Sequence, residues 1–151
     1  QKAQSLAKKF SLSKSLFVIG RQVAYPTALE AALKIKEVSY IHAEGFAGGE
    51  LKHGTMALIE ENTPVIALST QTTKSMVLSN AQEVKARGAF VIGVDSTSST
   101  VFDEYFEIPS VSYADPILMI LPIQLLAYYL AVEKKLDPDK PRSLAKSVTV
   151  K

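Results

Sequence analysis

An α/β fold built on a parallel sheet is what this 151-residue sequence predicts, on three grounds. Short apolar runs, of the kind covered on both faces, alternate with helical stretches, and that alternation marks strands joined by helical crossovers. The length fits one ordinary domain. A composition 47% hydrophobic and 21% charged can bury a core without staples. Cysteine is absent, which removes disulfide frameworks, thiolate metal sites and cysteine nucleophiles. A net charge of +2 leaves no electrostatic footprint for nucleic acid.

Taken in order, residues 1–14 read as a leading helix and linker. Residues 1–10 are basic and amphipathic and lack the apolar run of a signal peptide. Leu16-Phe17-Val18-Ile19, closed by Gly20, is the first strand, and residues 27–40 form the first long helix. The stretch at residues 40–54, with its glycines and both histidines, reads as an irregular loop leading to a short helix near Glu50. Val65-Ile66-Ala67-Leu68 is the next strand, followed by a helix over residues 74–87 with Gly88 as its C-terminal stop. Phe90-Val91-Ile92-Gly93-Val94 is the third strand, and residues 105–108 are a weaker fourth. From Asp115 an apolar helix follows. Its segment 116–132 falls short of the ~20 residues a bilayer needs and contains Pro122 and Gln124, so it reads as a buried helix and no membrane partner is expected. Residues 15–135 make the domain and residues 136–151 a tail.

Open parallel sheets bind ligands beyond the carboxyl ends of their strands. Those ends carry Arg21, the run Ser69-Thr70-Gln71-Thr72-Thr73 and the hydroxyl-rich residues 96–100. Hydroxyls before a helix can cradle an anion such as a sugar phosphate, and they can equally cap the helix. A glycine-rich phosphate loop and a dinucleotide fingerprint are both lacking, so no cofactor is expected.

On the first long helix, Glu30, Lys34 and Glu37 fall within an arc of about 60° at roughly 100° per residue. Most other directions are apolar, so the helix reads as buried on most sides. Its charged stripe either faces something specific or is an exposed surface pair worth a few tenths of a kcal/mol. His42 and His53 with Glu44 and Glu50 lack the i,i+4 pairing of a metal helix, so no metal is expected. His53, between Lys52 and Gly54, is the better placed of the two for proton transfer.

Four ordered motifs carry a resemblance: residues 25–37 (YPTALEAALKIKE), His42-Ala43-Glu44, Gly49-Glu50-Leu51-Lys52-His53-Gly54, and the terminal residues 144–150 (LAKSVTV). Together they resemble the C-terminal half of the isomerase region of the glutamine–fructose-6-phosphate aminotransferases, the glucosamine-6-phosphate synthases. The similarity runs from about residue 16 to the end. Thr55, Ser143 and Lys151 depart from the family pattern and touch no residue with a proposed role.

The resemblance implies an SIS-type, flavodoxin-like three-layer sandwich with a parallel sheet and an irregular C-terminal tail. It implies that Glu37 moves a proton between C1 and C2 of an open-chain sugar, that Lys34 stabilises charge beside it, and that Glu30 orients Lys34. By the same resemblance His53 opens the sugar ring from a neighbouring subunit, Lys146 forms a Schiff base with the keto carbon, and Ala145 lies at the substrate beside it. Ser69 and Thr70 are carried as substrate-binding candidates on the hydroxyl-run argument alone. The implied partners are fructose 6-phosphate and glucosamine 6-phosphate, a second copy of the chain, a first SIS repeat holding the main phosphate cradle, and a glutaminase domain with a terminal cysteine. The last two are absent here, so the chain is expected to be one part of the enzyme or a separately encoded half, cytoplasmic and inactive by itself. Two other readings compete: a stand-alone SIS module that binds a phosphosugar and regulates a partner, and a dimerisation domain, favoured if the helix at 116–132 is exposed.

Overall fold

The three apolar runs become the central strands β1 (Ser15–Gly20), β3 (Pro64–Leu68) and β4 (Phe90–Asp95) in a computed structural model that describes residues 1–143. With β2 (His42–Ala47) and β5 (Glu104–Glu107) at the edges they form one all-parallel sheet in the order β2-β1-β3-β4-β5. Alternate side chains leave a strand on opposite faces. Leu16, Val18, Ile66, Leu68, Ile92 and Val94 therefore join the cluster under α1 (Lys2–Phe10), α2 (Ala24–Ser39) and α4 (Asp115–Glu133). Phe17, Ile19, Val65, Ala67 and Val91 join the one under α3 (Lys74–Lys85) and two 3₁₀ turns, Gly48–His53 and Thr55–Leu58. Helices on both faces of a parallel sheet are the three-layer sandwich expected. The leading helix α1 buries Ala3, Leu6, Ala7 and Phe10 in the same core.

Three local readings change. First, α2 begins at Ala24, a turn earlier than residue 27, because Pro26 in a first helical turn gives up only an amide that has no intrahelical partner. Second, residues 42–47 are not irregular loop but the edge strand β2, paired with β1 from Ser15↔His42 to Gly20↔Ala47. Gly45 marks a close approach: a Cβ there would sit 2.6 Å from the Ala28 carbonyl oxygen of α2. The glycine lets helix and strand backbones touch.

Third, α4 is buried on one face only. Met119, Ile123, Leu126, Ala127 and Leu130 point into the core, while Ile117, Leu121, Leu125, Tyr128 and Val132 line an exposed face. With its 3₁₀ lead the helix spans Ser112–Glu133, 22 residues, so length and composition alone would let it cross a membrane. Its inner face packs on α1 and α2 like any outer-layer helix of an α/β fold.

Candidate functional site

The charged stripe exists as predicted and is internally bonded. Lys34 Nζ donates to Glu37 Oε2 at 2.8 Å and stands 3.5 Å from Glu30 Oε1. The three side chains retain 33%, 26% and 48% of their exposure, so the triad is seated in the surface yet open to a ligand. The hydrogen bond to Glu37 raises the Lys34 pKa above 10.5, against the opposing effect of burial and with further help from the Glu30 charge. Lys34 is thus a fixed cation, suited to stabilise negative charge and unsuited to attack a carbonyl as a free amine. The two exposed leucines beside the stripe, Leu29 and Leu33, correct the expectation that α2 is buried on its other sides.

His53 is exposed at the end of the Gly48–His53 turn. That turn is fastened from below. Leu51 is buried, Lys52 Nζ pairs with Glu83 Oε1 at 3.1 Å, and the Arg21 guanidinium lies against Gly48 and Gly49 while its Nε donates to Asn80 Oδ1 at 3.0 Å. Arg21 was visible in the sequence as a strand-end residue, but its partner is 59 positions away and no local signal announces it.

The hydroxyls of the run bond to one another and to Asp95, and Thr73 makes no side-chain cap on α3. Ser69 Oγ donates to the buried Asp95, which also receives Lys74 Nζ at 3.0 Å and the Thr97 amide at 3.1 Å. Thr70 Oγ1 is 3.1 Å from Thr72 Oγ1 and 2.9 Å from Thr73 Oγ1, and Thr73 accepts the Thr70 amide at 3.2 Å. Thr73 stands at the N-cap of α3 but its side chain bonds backward into the loop, not to the helix. Beside it opens a cleft of about 500 Å³ lined by Thr70, Gln71, Thr72, Ser112, Tyr113 and Asp115. An anion there would face the Asp115 carboxylate, with Lys74 already committed to Asp95.

The structure separates the candidates into two groups. β1 rises to Gly20 and α2 descends beside it, bringing Tyr40 back to the level where Ser15 pairs with His42. Glu37 therefore lies about 20 Å down the helix axis from Ala24, near the amino edge of the sheet. Ser69 and Thr70 lie at the carboxyl edge, and His53 ends a turn that packs with α3 on the face of the sheet opposite α2. Ala145 and Lys146 lie outside the described residues. Among the described residues, no group of three or more His, Asp or Glu side chains is placed to hold a metal ion.

Comparison with known proteins agrees with the fold. The sequence matches the SIS domain over residues 9–134. It is 52% identical over 150 residues to a glutamine–fructose-6-phosphate aminotransferase of Methanosarcina acetivorans, covering 95% of this chain and 24% of the relative. A relative of the same name from Pyrococcus horikoshii is 51% identical, with 99% of this chain and 26% of the relative covered. The chain thus spans about a quarter of the length of these curated relatives. Among solved structures, the C-terminal domain of the Francisella tularensis glucosamine-fructose-6-phosphate aminotransferase superposes with a TM-score of 0.85 at 35% identity, covering 92% of this chain and 41% of that one. A Thermotoga maritima glucosamine-6-phosphate deaminase, 24% identical with a TM-score of 0.73, shares the fold over 97% of this chain and 46% of its own. With the family matched across most of its length, and with the parallel sandwich it requires, the chain belongs to the SIS domain family.

Proposed function

We propose that this chain is the second SIS repeat of a glutamine–fructose-6-phosphate aminotransferase, and that it supplies acid–base residues for converting fructose 6-phosphate into glucosamine 6-phosphate. The observation that carries the reading is the α2 triad, in which a half-buried carboxylate, Glu37, is bonded to a cation held protonated by two acids. Relatives of that name align over nearly the whole chain and support it.

Isomerisation of an open-chain ketose imine removes a proton at C1 and delivers one at C2. One carboxylate on a rigid helix can visit both carbons, and Glu37 is that group. Lys34 stabilises the enolate-like charge that develops between the two transfers, and Glu30 keeps Lys34 in place. The tail residue Lys146 attacks the keto carbon and, with loss of water, holds the open chain as an imine, and Ala145 lines the sugar beside it. Ammonia displaces that imine to free the lysine before the proton transfers. Ammonia comes from glutamine through a separate glutaminase domain.

His53 ends a turn packed on the sheet face opposite this triad, which fits service to the site of a second copy in a cytoplasmic homodimer. The preceding repeat covers the exposed apolar face of α2 and α4, where Leu29 and Leu33 adjoin the triad and Ile117, Leu121 and Leu125 extend it. That docking sets the phosphate cradle of the first repeat opposite Glu37. The internally bonded Ser69–Asp95 turn supports a phosphate grip supplied from outside this chain.

In a full-length aminotransferase carrying this segment, Glu37→Gln keeps shape but removes the base. Amino-sugar formation should fall about 100-fold or more, with binding of sugar phosphate little changed. Turnover close to the unsubstituted enzyme would overturn the assignment.

A further inference from the structure

α2 does not end on a bland residue. Tyr40, one turn past Glu37, takes the left-handed conformation (φ 57°) and its amide closes the helix on the Lys36 carbonyl. Its side chain is spoken for by a distant segment. The Arg142 amide donates to the Tyr40 hydroxyl at 2.7 Å, and the Arg142 guanidinium carbon lies 4.1 Å from the centre of the ring. One aromatic residue thus holds both the backbone and the side chain of Arg142, across 102 positions of sequence. The cation over the ring adds attraction to the hydrogen bond.

The path to Arg142 is itself shaped. After α4 the Leu136 amide bonds the Ala131 carbonyl at 2.9 Å, and Asp137 folds the following turn by accepting the Asp139 amide at 2.9 Å. Pro138 and Pro141 stiffen this stretch by fixing their own φ. The result is that the chain leaving α4 is brought to the foot of α2, on the sheet edge nearest Glu37. Lys146 is four positions beyond Arg142, a span of at most about 14 Å even fully extended.

We propose that Tyr40 is a positioning residue: with Arg142 it forms a latch that starts the C-terminal tail at the foot of α2 and so delivers Lys146 to the sugar handled by Glu37. The inference rests on the aminotransferase reading above. A catalytic amine on a tail is effective only if its approach is restricted, and losing such restriction lowers the rate of bond formation more than it weakens substrate binding.

Two measurements test it. In the 151-residue chain, amide hydrogen exchange at Arg142 should be about three- to tenfold faster in Tyr40→Phe, which keeps the ring and deletes the acceptor. Equal exchange in both proteins means there is no latch and overturns the inference. In the full-length enzyme, Tyr40→Leu should slow borohydride trapping of the sugar on Lys146 by about tenfold and lower kcat in step, with KM for fructose 6-phosphate nearly unchanged. Tyr40→Phe should fall between Tyr40→Leu and the unsubstituted enzyme. Trapping at the full rate in Tyr40→Leu overturns the inference alone. An unsubstituted enzyme that neither traps sugar nor makes amino sugar overturns the aminotransferase reading, and the exchange result still reports on the latch.

Discussion

The triad on α2 and the turn between β3 and α3 are built from the same kinds of groups, a lysine between oxygens, yet they are put to opposite uses. At the turn, the Asp95 side chain keeps 4% of its exposure, and Ser69, Lys74 and Thr97 share its oxygens. On α2, Lys34 and Glu37 keep 33% and 26%, with lone pairs and ammonium protons left over. A buried ion pair whose acceptors are taken organises a loop. A half-exposed pair holds a charge in place for something else. Where a ligand can go is therefore decided by spare bonding capacity and not by the density of hydroxyls, and the edge rule for parallel sheets points here to the turn that has least to spare.

The largest effect expected from this contrast lies between the two lysines. In the full-length enzyme Lys146→Ala should abolish borohydride trapping of sugar, whereas Lys34→Met should lower turnover and leave trapping in place. Trapping that survives Lys146→Ala and disappears in Lys34→Met would make Lys34 the amine and undo the fixed-cation assignment.

The separation of His53 from Glu37 gives a sharper test. Glu37→Gln and His53→Ala enzymes, each inactive, should recover about a quarter of full activity when subunits are mixed and allowed to exchange, because half the dimers form and each has one intact site. No recovery would place both residues in one subunit's site.

Asp95→Ala should act on stability instead. Loss of an acceptor shared by three donors should cost about 1–3 kcal/mol, read as a lower denaturant midpoint. The triad's chemistry, at the other edge, should be nearly untouched.

The smallest effect is in pH. Because the folded pKa of Lys34 lies above 10.5, its pairing stabilises the fold in full below 10.5 and is lost as pH rises through the raised value. Near neutrality this contribution should be constant, so stability there should not vary with pH on its account. Removing the Glu37 carboxylate should lower the Lys34 titration, which NMR of the side-chain ammonium would show.

Much of this was legible in the chain. β1, β3 and β4 announce themselves because both faces are covered, so apart from Ser15 and Asp95 at their ends they carry no polar side chain. The triad shows because helical spacing alone brings Glu30, Lys34 and Glu37 together. β2 does not show: His42, Glu44 and Gly45 suit a loop, and only the backbone of α2 pressed against Gly45 explains why a strand needs them. The outward face of α4 is equally hidden, since a helix apolar all round looks the same whether a second domain or the core covers it. Arg21 with Asn80 and Tyr40 with Arg142 are pairs that only the folded chain creates.

The glycine contact between α2 and β2 also bears on how the molecule assembles. β1, α2 and β2 form one continuous crossover in which partners such as Ser15 and His42 are 27 positions apart, against 48 for Phe17 and Val65 in β1 and β3. Closing the shorter loop costs about 0.5 kcal/mol less chain entropy. The close backbone seating at Gly45 rewards that closure at once. The segment that carries Glu30, Lys34 and Glu37 is thus favoured to close first, with its geometry set before the rest of the sheet is added.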